Sequence, residues 1–349
     1  MLQGKNLIEL AQEIQRQAAV KRDFIASAET VTLQEDGNTL AITGIGDFTA
    51  TEIMHDQIGN FLNIPIRYYD RLRSSHPALL AENVNTLLHT ANAKRMVRTL
   101  DGSARAFLSD RYRRFDHCDL AEAALPLILE ERLQVVSCEI TERKLYFQVV
   151  NQRQEAEVKA GDPVQAGFIL TNSEVGHGAL QLQPLIFRLV CTNGLVLPEK
   201  QEYTLSRHHV GRAQEAGTLE RFYSDATLAA ADRAFWMQVQ DTMRAAIQGD
   251  FFAPAVSQLR TAAAEKITGD PVKVVELAAQ TFRLSDTERG SVLQHLISDG
   301  DLSRYGLLNA ITRTGQEVKS YDRAVELETT GSAVLHLTPS AWQRMAEAA

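Results

Sequence analysis

Apolar positions in this chain change period twice. They recur mostly at three- and four-residue spacing up to Thr90, mostly at every second residue from Lys94 to Arg207, and again at three and four beyond Arg212. Helices are therefore expected at both ends and sheet in the middle. Leu7, Leu10, Ala11 and Ile14 place a narrow stripe on a first amphipathic helix. TVTLQ and NTLAIT flank Glu35-Asp36-Gly37, and an Asp-Gly pair between alternating runs marks a hairpin, because both turn positions favour positive φ. Thr51 to Leu62 reads as a helix with Ile53, Ile58, Phe61 and Leu62 inward. Arg67 to Thr90 holds one or two more, with Pro77 at a start position.

A second Asp-Gly pair, Asp101-Gly102, joins KRMVRTL to SARAFLS as antiparallel strands. Asp116 is placed to cap a helix from His117 to Arg132, in which Pro126 predicts a kink or a later start. QVVSCEI and LYFQVVN alternate cleanly around the loop Thr141-Glu142-Arg143-Lys144. Then GFILTNSEVGHGALQLQPLIFRLVCTNGLV reads as strand, glycine turn, long strand and tight turn at Asn193-Gly194. Leu180 and Leu182 are even-numbered while Leu185, Phe187, Leu189 and Cys191 are odd, so the phase slips at Pro184 and predicts a bulge there. A long helix is expected from about Ser224 to Gln248, followed by shorter ones, one opened by the capping box Ser285-Asp286-Thr287-Glu288. The expected fold class is α+β: an antiparallel, hairpin-rich central sheet with flanking helices and a helical C-terminal region. With 349 residues, two domains are expected: an α+β domain over 1–212 and a helical region over 213–349.

Composition narrows the function classes. A hydrophobic fraction of 44% and a charged fraction of 23% are those of a globular protein. No apolar run approaches the ~20 residues of a membrane span, and the N-terminus reads as an amphipathic helix rather than a signal peptide, so a cytoplasmic location without membrane contact is expected. Cys118, Cys138 and Cys191 lie far apart with no CxxC, which speaks against a disulfide framework and a cysteine-rich zinc site. Neither GxxxxGK[ST] nor GxSxG occurs. The net charge is −8, yet Asn92 to Phe115 holds seven cations against two acids, so that segment is +5 and the remainder −13. An average charge hides such a local field.

The strings AFLSDRYRRFDH, LTNSEVGHGAL, FRLVCTNGL and SRYGLLNAITR, in that order, resemble the phage- and plasmid-associated family called domain of unknown function 932, over most of the chain. The resemblance implies a mobile-element setting, which directs attention to DNA. It brings no catalytic residue with it.

Three groups of residues are candidates for function. Lys94, Arg95, Arg98, Arg105, Arg111, Arg113 and Arg114, with Tyr112 and Phe115 interleaved, fit phosphate tracking and base stacking on single-stranded nucleic acid. The alternative is a solvated hairpin whose cations pair with the chain's acids and whose aromatics are core. Asn172, Ser173, Glu174, His177, Arg188 and Asn193 crowd around the glycine turn and the long strand. Turn chemistry covers most of them, but Arg188 needs a partner or a solvent face. Cys191, His177 and Asn193 match the residue types of a cysteine hydrolase, without a spacing that establishes contact. His208-His209 and the group Asp116, His117 and Asp119 lack metal-ligand spacing. Arg304, Asn309 and Arg313 form a polar line suited to a subunit interface, compatible with a homo-oligomer.

The leading expectation is therefore a non-enzymatic nucleic-acid-binding protein, acting on single-stranded DNA in recombination or replication, with no catalytic residue, metal or cofactor assigned. One alternative is an enzyme acting on a nucleic acid or phosphoester in a pocket around His177. The other is a protein-interaction factor directed at a host component.

Overall fold

The computed structural model describes residues 1–198, 204–207, 225–248 and 251–349. After α1 (Leu7–Val20), opened by a capping box between Asn6 and Glu9, come β1 (Arg22–Ser27), β2 (Val31–Leu33), β3 (Thr39–Ile42) and β4 (Gly46–Ala50). Then follow α2 (Glu52–Phe61), α3 (Ile66–Ser75), α4 (Pro77–Thr90) and the hairpin β5 (Lys94–Leu100) and β6 (Ser103–Ser109). These six strands form one sheet, ordered β1-β5-β6-β4-β3-β2. Every pairing is antiparallel except β4 with β6. Asp101 and Gly102 take φ of 50° and 77°, the positive values that the tight turn between β5 and β6 requires. Leu40, Val97 and Phe107 pack with Met54, Tyr69 and Leu80 from the three helices.

The second sheet follows α5 (His117–Glu130), which begins at His117 and contains Pro126. Its strands are β7 (Gln134–Ile140), β8 (Leu145–Glu157), β9 (Pro163–Asn172), β10 (Leu180–Arg188) and β11 (Asn193–Val196), ordered β11-β10-β9-β8-β7, with β12 (Leu205–Arg207) beside β10. All of these pairings are antiparallel. The rest is helical: α6 (Asp225–Gln248), α7 (Phe252–Ala264), α8 (Pro271–Phe282), α9 (Asp286–Asp299), α10 (Arg304–Thr314), α11 (Tyr321–Leu335) and α12 (Pro339–Ala346). The fold class is α+β, as its hairpins and helical ends imply. Among the described residues, no helix is long and apolar enough to cross a membrane.

Two readings of the long strand need correction. No bulge occurs at Pro184, which pairs with Phe168 in an unbroken β9–β10 register. The apolar phase shifts because β10 is covered on both sides. Leu180 and Leu182 join Phe147, Phe168 and side chains of α1, α5 and α6, while Leu185 meets Tyr146, Ile169 and Tyr321 on the other face. A doubly covered strand shows no single alternating stripe. Asn193 and Gly194 likewise make no turn but lie within β11, opposite Arg188 and Phe187. The chain reverses just before them, where Thr192 has φ of 49°.

The C-terminal helices do not form a separate core. Val164, Ile186 and Leu195 of the second sheet share one apolar cluster with Leu259, Val274, Leu307, Ile311, Leu327 and Trp342.

Candidate functional site

The cations of the basic hairpin do not share one surface. Arg98 is fully buried; its Nε and Nη2 donate to Asp23 at 2.9 and 3.1 Å, Nη2 also to Asp116 at 2.6 Å, and Nη1 to the Glu174 carbonyl at 3.0 Å. Arg105 pairs with the Glu174 carboxylate, and Lys21 bridges Asp116 at 2.7 Å and Glu174 at 3.1 Å. Arg95 lays its guanidinium over the Phe61 and Phe107 rings at 4.5 and 5.0 Å. Arg113 pairs with Asp232, and Arg114 reaches Asp23 at 3.5 Å. Lys94 and Arg111 are exposed.

The aromatics are interior. Tyr112 donates its hydroxyl to the Ser173 carbonyl at 2.9 Å. Phe115, 1% exposed, packs against Phe235 and Trp236. Neither offers a face on which a base could stack.

The polar residues of the glycine-turn region separate into three places. Asn172, Ser173 and Glu174 are buried where the two sheets meet. Asn172 does not serve its own turn but donates to the Phe115 carbonyl at 2.8 Å, beside His117 Nδ1 at 3.2 Å. The His117 N–H donates to Glu174 at 2.8 Å. Burial keeps His117 neutral by lowering its pKa from 6.5 to about 4. Burial alone would raise the Glu174 carboxyl; the charges around it, Arg105, Arg98 and Lys21 among them, outweigh burial and hold it well below the usual carboxylate range.

Arg188 finds its partner in Asp162, with bonds of 2.6 and 2.9 Å, and Tyr305 donates to the same carboxylate at 3.0 Å. Asn193 donates to Thr312 at 2.5 Å and lies 3.4 Å from Asn309 Oδ1. Arg304 is buried and caps the end of α11 through the carbonyls of Val334, Leu335 and Leu337. Arg313 pairs with Asp299 at 2.7 Å. The polar line expected on α10 is thus distributed among intramolecular contacts.

Cys191 and His177 lie beyond opposite ends of β10, a nine-residue strand. Nine extended residues span about 30 Å, so they share no catalytic geometry. Asp116, Cys118 and Asp119 place potential ligand atoms within 4.8 Å of one another, but Asp116 is already engaged by Arg98 and Lys21. His208 and His209 fall outside the described residues.

Of the polar group, His177 lines an open pocket. The pocket, of about 500 Å³, lies between the second sheet and α11, within the range of small-molecule sites. Tyr146, Thr171, Gln181 and Gln183 come from the sheet; Asp322, Arg323, Glu326, Thr329 and Thr330 from α11; Arg143 and Lys144 from the β7–β8 loop.

The two loops at its rim are tied by one side chain. Ser173 Oγ donates to the Arg143 carbonyl at 2.7 Å and accepts from the His177 N–H at 2.9 Å. Burial, with Arg143 and Lys144 nearby, lowers the His177 pKa below its ordinary 6.5, so the imidazole is neutral at pH 7. Arg323 is held by Glu288 and Glu326. Arg143 and Lys144 have no ion-pair partner among the described residues.

Sequence reasoning reached His177 but not the rest of this pocket. Arg143 and Lys144 were visible only as loop residues, and α11 supplies its side chains from far along the chain.

A family model described as "Domain of unknown function (DUF932)" matches residues 106–331. No curated protein and no solved structure matches the chain.

Proposed function

We propose that this chain, which belongs to the DUF932 family, takes a small ligand with an anionic group in the pocket around the glycine turn. A phosphoester is the candidate class, and His177 is the acid–base group. One observation carries the reading: two cations without carboxylate partners, Arg143 and Lys144, stand at the rim of a cavity beside an imidazole kept neutral. A neutral imidazole is ready to take the proton of a water that attacks the ester phosphorus as the alcohol leaves, and adjacent cations hold the anionic phosphoryl group in place.

Titration calorimetry with inorganic phosphate tests the binding, and p-nitrophenyl phosphate and bis(p-nitrophenyl) phosphate test turnover. Phosphate is expected to bind the wild type and to lose affinity at least tenfold in Arg143→Gln/Lys144→Gln. His177→Ala is expected to bind phosphate but lose turnover. A wild type that binds no phosphate overturns the reading.

Nucleic-acid binding through the hairpin would fall to Lys94, Arg111 and Arg114, whose side chains are exposed. A single-stranded oligonucleotide titrated at two salt concentrations reports on them separately, since phosphate neutralisation by protein cations is salt-dependent.

A further inference from the structure

We infer that the ligand of this pocket is a sugar phosphate, its phosphate at Arg143 and Lys144 and its hydroxyls on the sheet and α11. This rests on the anion reading above and adds the chemistry of the remainder of the ligand.

The lining decides between ligand classes. Of its residues only Val325 is aliphatic; the others carry hydroxyls, amides, carboxylates, cationic groups or, at His177, an imidazole. Tyr146 supplies the one phenol ring, but that residue is 3% exposed and its ring packs against Tyr321, so it presents no stacking platform. A nucleobase or another flat apolar group would find one imidazole and one valine to cover its faces, whereas pockets for such groups are lined chiefly by apolar and aromatic side chains. A polyol matches a wall of hydrogen-bonding groups.

Two groups are set for that role. Thr171 is 5% exposed, and its Oγ1 is buried without a hydrogen-bond partner. A buried hydroxyl left unpaired costs about 1–3 kcal/mol, which a ligand hydroxyl would offset once the side chain turns its Oγ1 into the pocket. Asp322 uses Oδ1 to accept from Tyr146 at 2.6 Å and from Thr141 at 3.0 Å, which fixes the carboxylate and leaves Oδ2 without a partner among the described residues. A carboxylate oriented in this way is suited to a vicinal diol, because both sugar hydroxyls can donate to it. Thr141 links the two sets, bonding Asp322 while accepting from the Arg143 and Lys144 backbone N–H groups, so cations and carboxylate stand side by side and match a ligand whose hydroxyls adjoin its anionic group.

Calorimetry on the full chain with inorganic phosphate, ribose 5-phosphate, free ribose and a nucleoside 5′-monophosphate tests this. Ribose 5-phosphate is expected to bind roughly tenfold tighter than phosphate, the gain from one or two net hydrogen bonds. The nucleotide is expected to gain nothing further. Asp322→Asn is expected to bring the affinity for ribose 5-phosphate to within about twofold of that for phosphate, both measured on the same variant; Gln181→Ala gives a second reading should the first variant fold poorly.

Equal affinity for phosphate and ribose 5-phosphate overturns the sugar inference alone. A nucleotide that binds roughly tenfold tighter than ribose 5-phosphate also overturns it. Binding of free ribose without phosphate supports the sugar wall and overturns the anion reading. Binding of none of the four overturns both.

Discussion

Ser173 shows how one buried hydroxyl organises several loops. Its Oγ links the His177 N–H to the Arg143 carbonyl, while its own carbonyl accepts from Tyr112. Replacing it with alanine removes the tie that keeps the imidazole near Arg143 and Lys144, part of what lowers its pKa. In Ser173→Ala, the His177 pKa followed by NMR is expected to rise toward 6.5, and phosphate affinity to fall about fivefold, the worth of roughly one net hydrogen bond. An unmoved pKa would mean that the hydroxyl serves packing alone. Gly176, next to the histidine, has φ of 79°, a conformation that disfavours side chains.

At the scale of elements, local chemistry was legible and partnership was not. The Asp101-Gly102 turn, the Asn6 and Ser285 capping boxes and the period change from helix to sheet can each be read from a few neighbouring residues. Pro184 and Asn193-Gly194 were misread because the usual rules for proline and Asn-Gly assume a strand with one covered face and a free turn. Here α11 and the helices opposite it cover both faces of β10, and Gly194 is needed for contact: a Cβ there would come within 3.0 Å of Leu185 and 3.2 Å of Glu328. Gly167 of β9 meets backbone instead, a Cβ there lying 2.3 Å from the Val149 carbonyl oxygen, so Gly167→Ala is expected to destabilise the fold by about 1–3 kcal/mol in urea unfolding. Gly290, inside α9 with nothing within 4 Å, is the control. Gly290→Ala is expected to stabilise by up to ~1 kcal/mol through helix propensity. Equal effects at the two positions would refute the packing argument.

Across the whole molecule, charge pairing joins the two sheets. Arg98 meets Asp23, Asp116 and the Glu174 carbonyl over separations of 75, 18 and 76 residues, and nothing in local composition announces such partners. This is why the +5 segment looked like an outward field in sequence, while in the fold Arg98 and Arg105 turn inward.

The same pairing sets the response to acid. His55 and His117 have folded pKa values lowered from 6.5 to about 4, so between those values the unfolded chain binds more protons and stability declines as the pH is lowered. Glu174 has a lowered pKa as well; its contribution is full above its ordinary 4.5 and is lost as pH falls through the folded value. Urea midpoints measured from pH 7 to pH 3 are therefore expected to decline in two stages, histidine first. Glu174→Gln is expected to cost about 3–5 kcal/mol at pH 7 and to flatten the second stage. A midpoint independent of pH over that interval would contradict the assignment.

Arg98 also imposes an order on biosynthesis. The ribosome delivers Asp23 and Arg98 early, Asp116 later and Glu174 later still, so the first sheet can assemble while its central guanidinium still has only one of its final acceptors and faces water. Burial of that group waits on chain not yet translated, and the nascent protein commits to its finished interior only when the second sheet emerges.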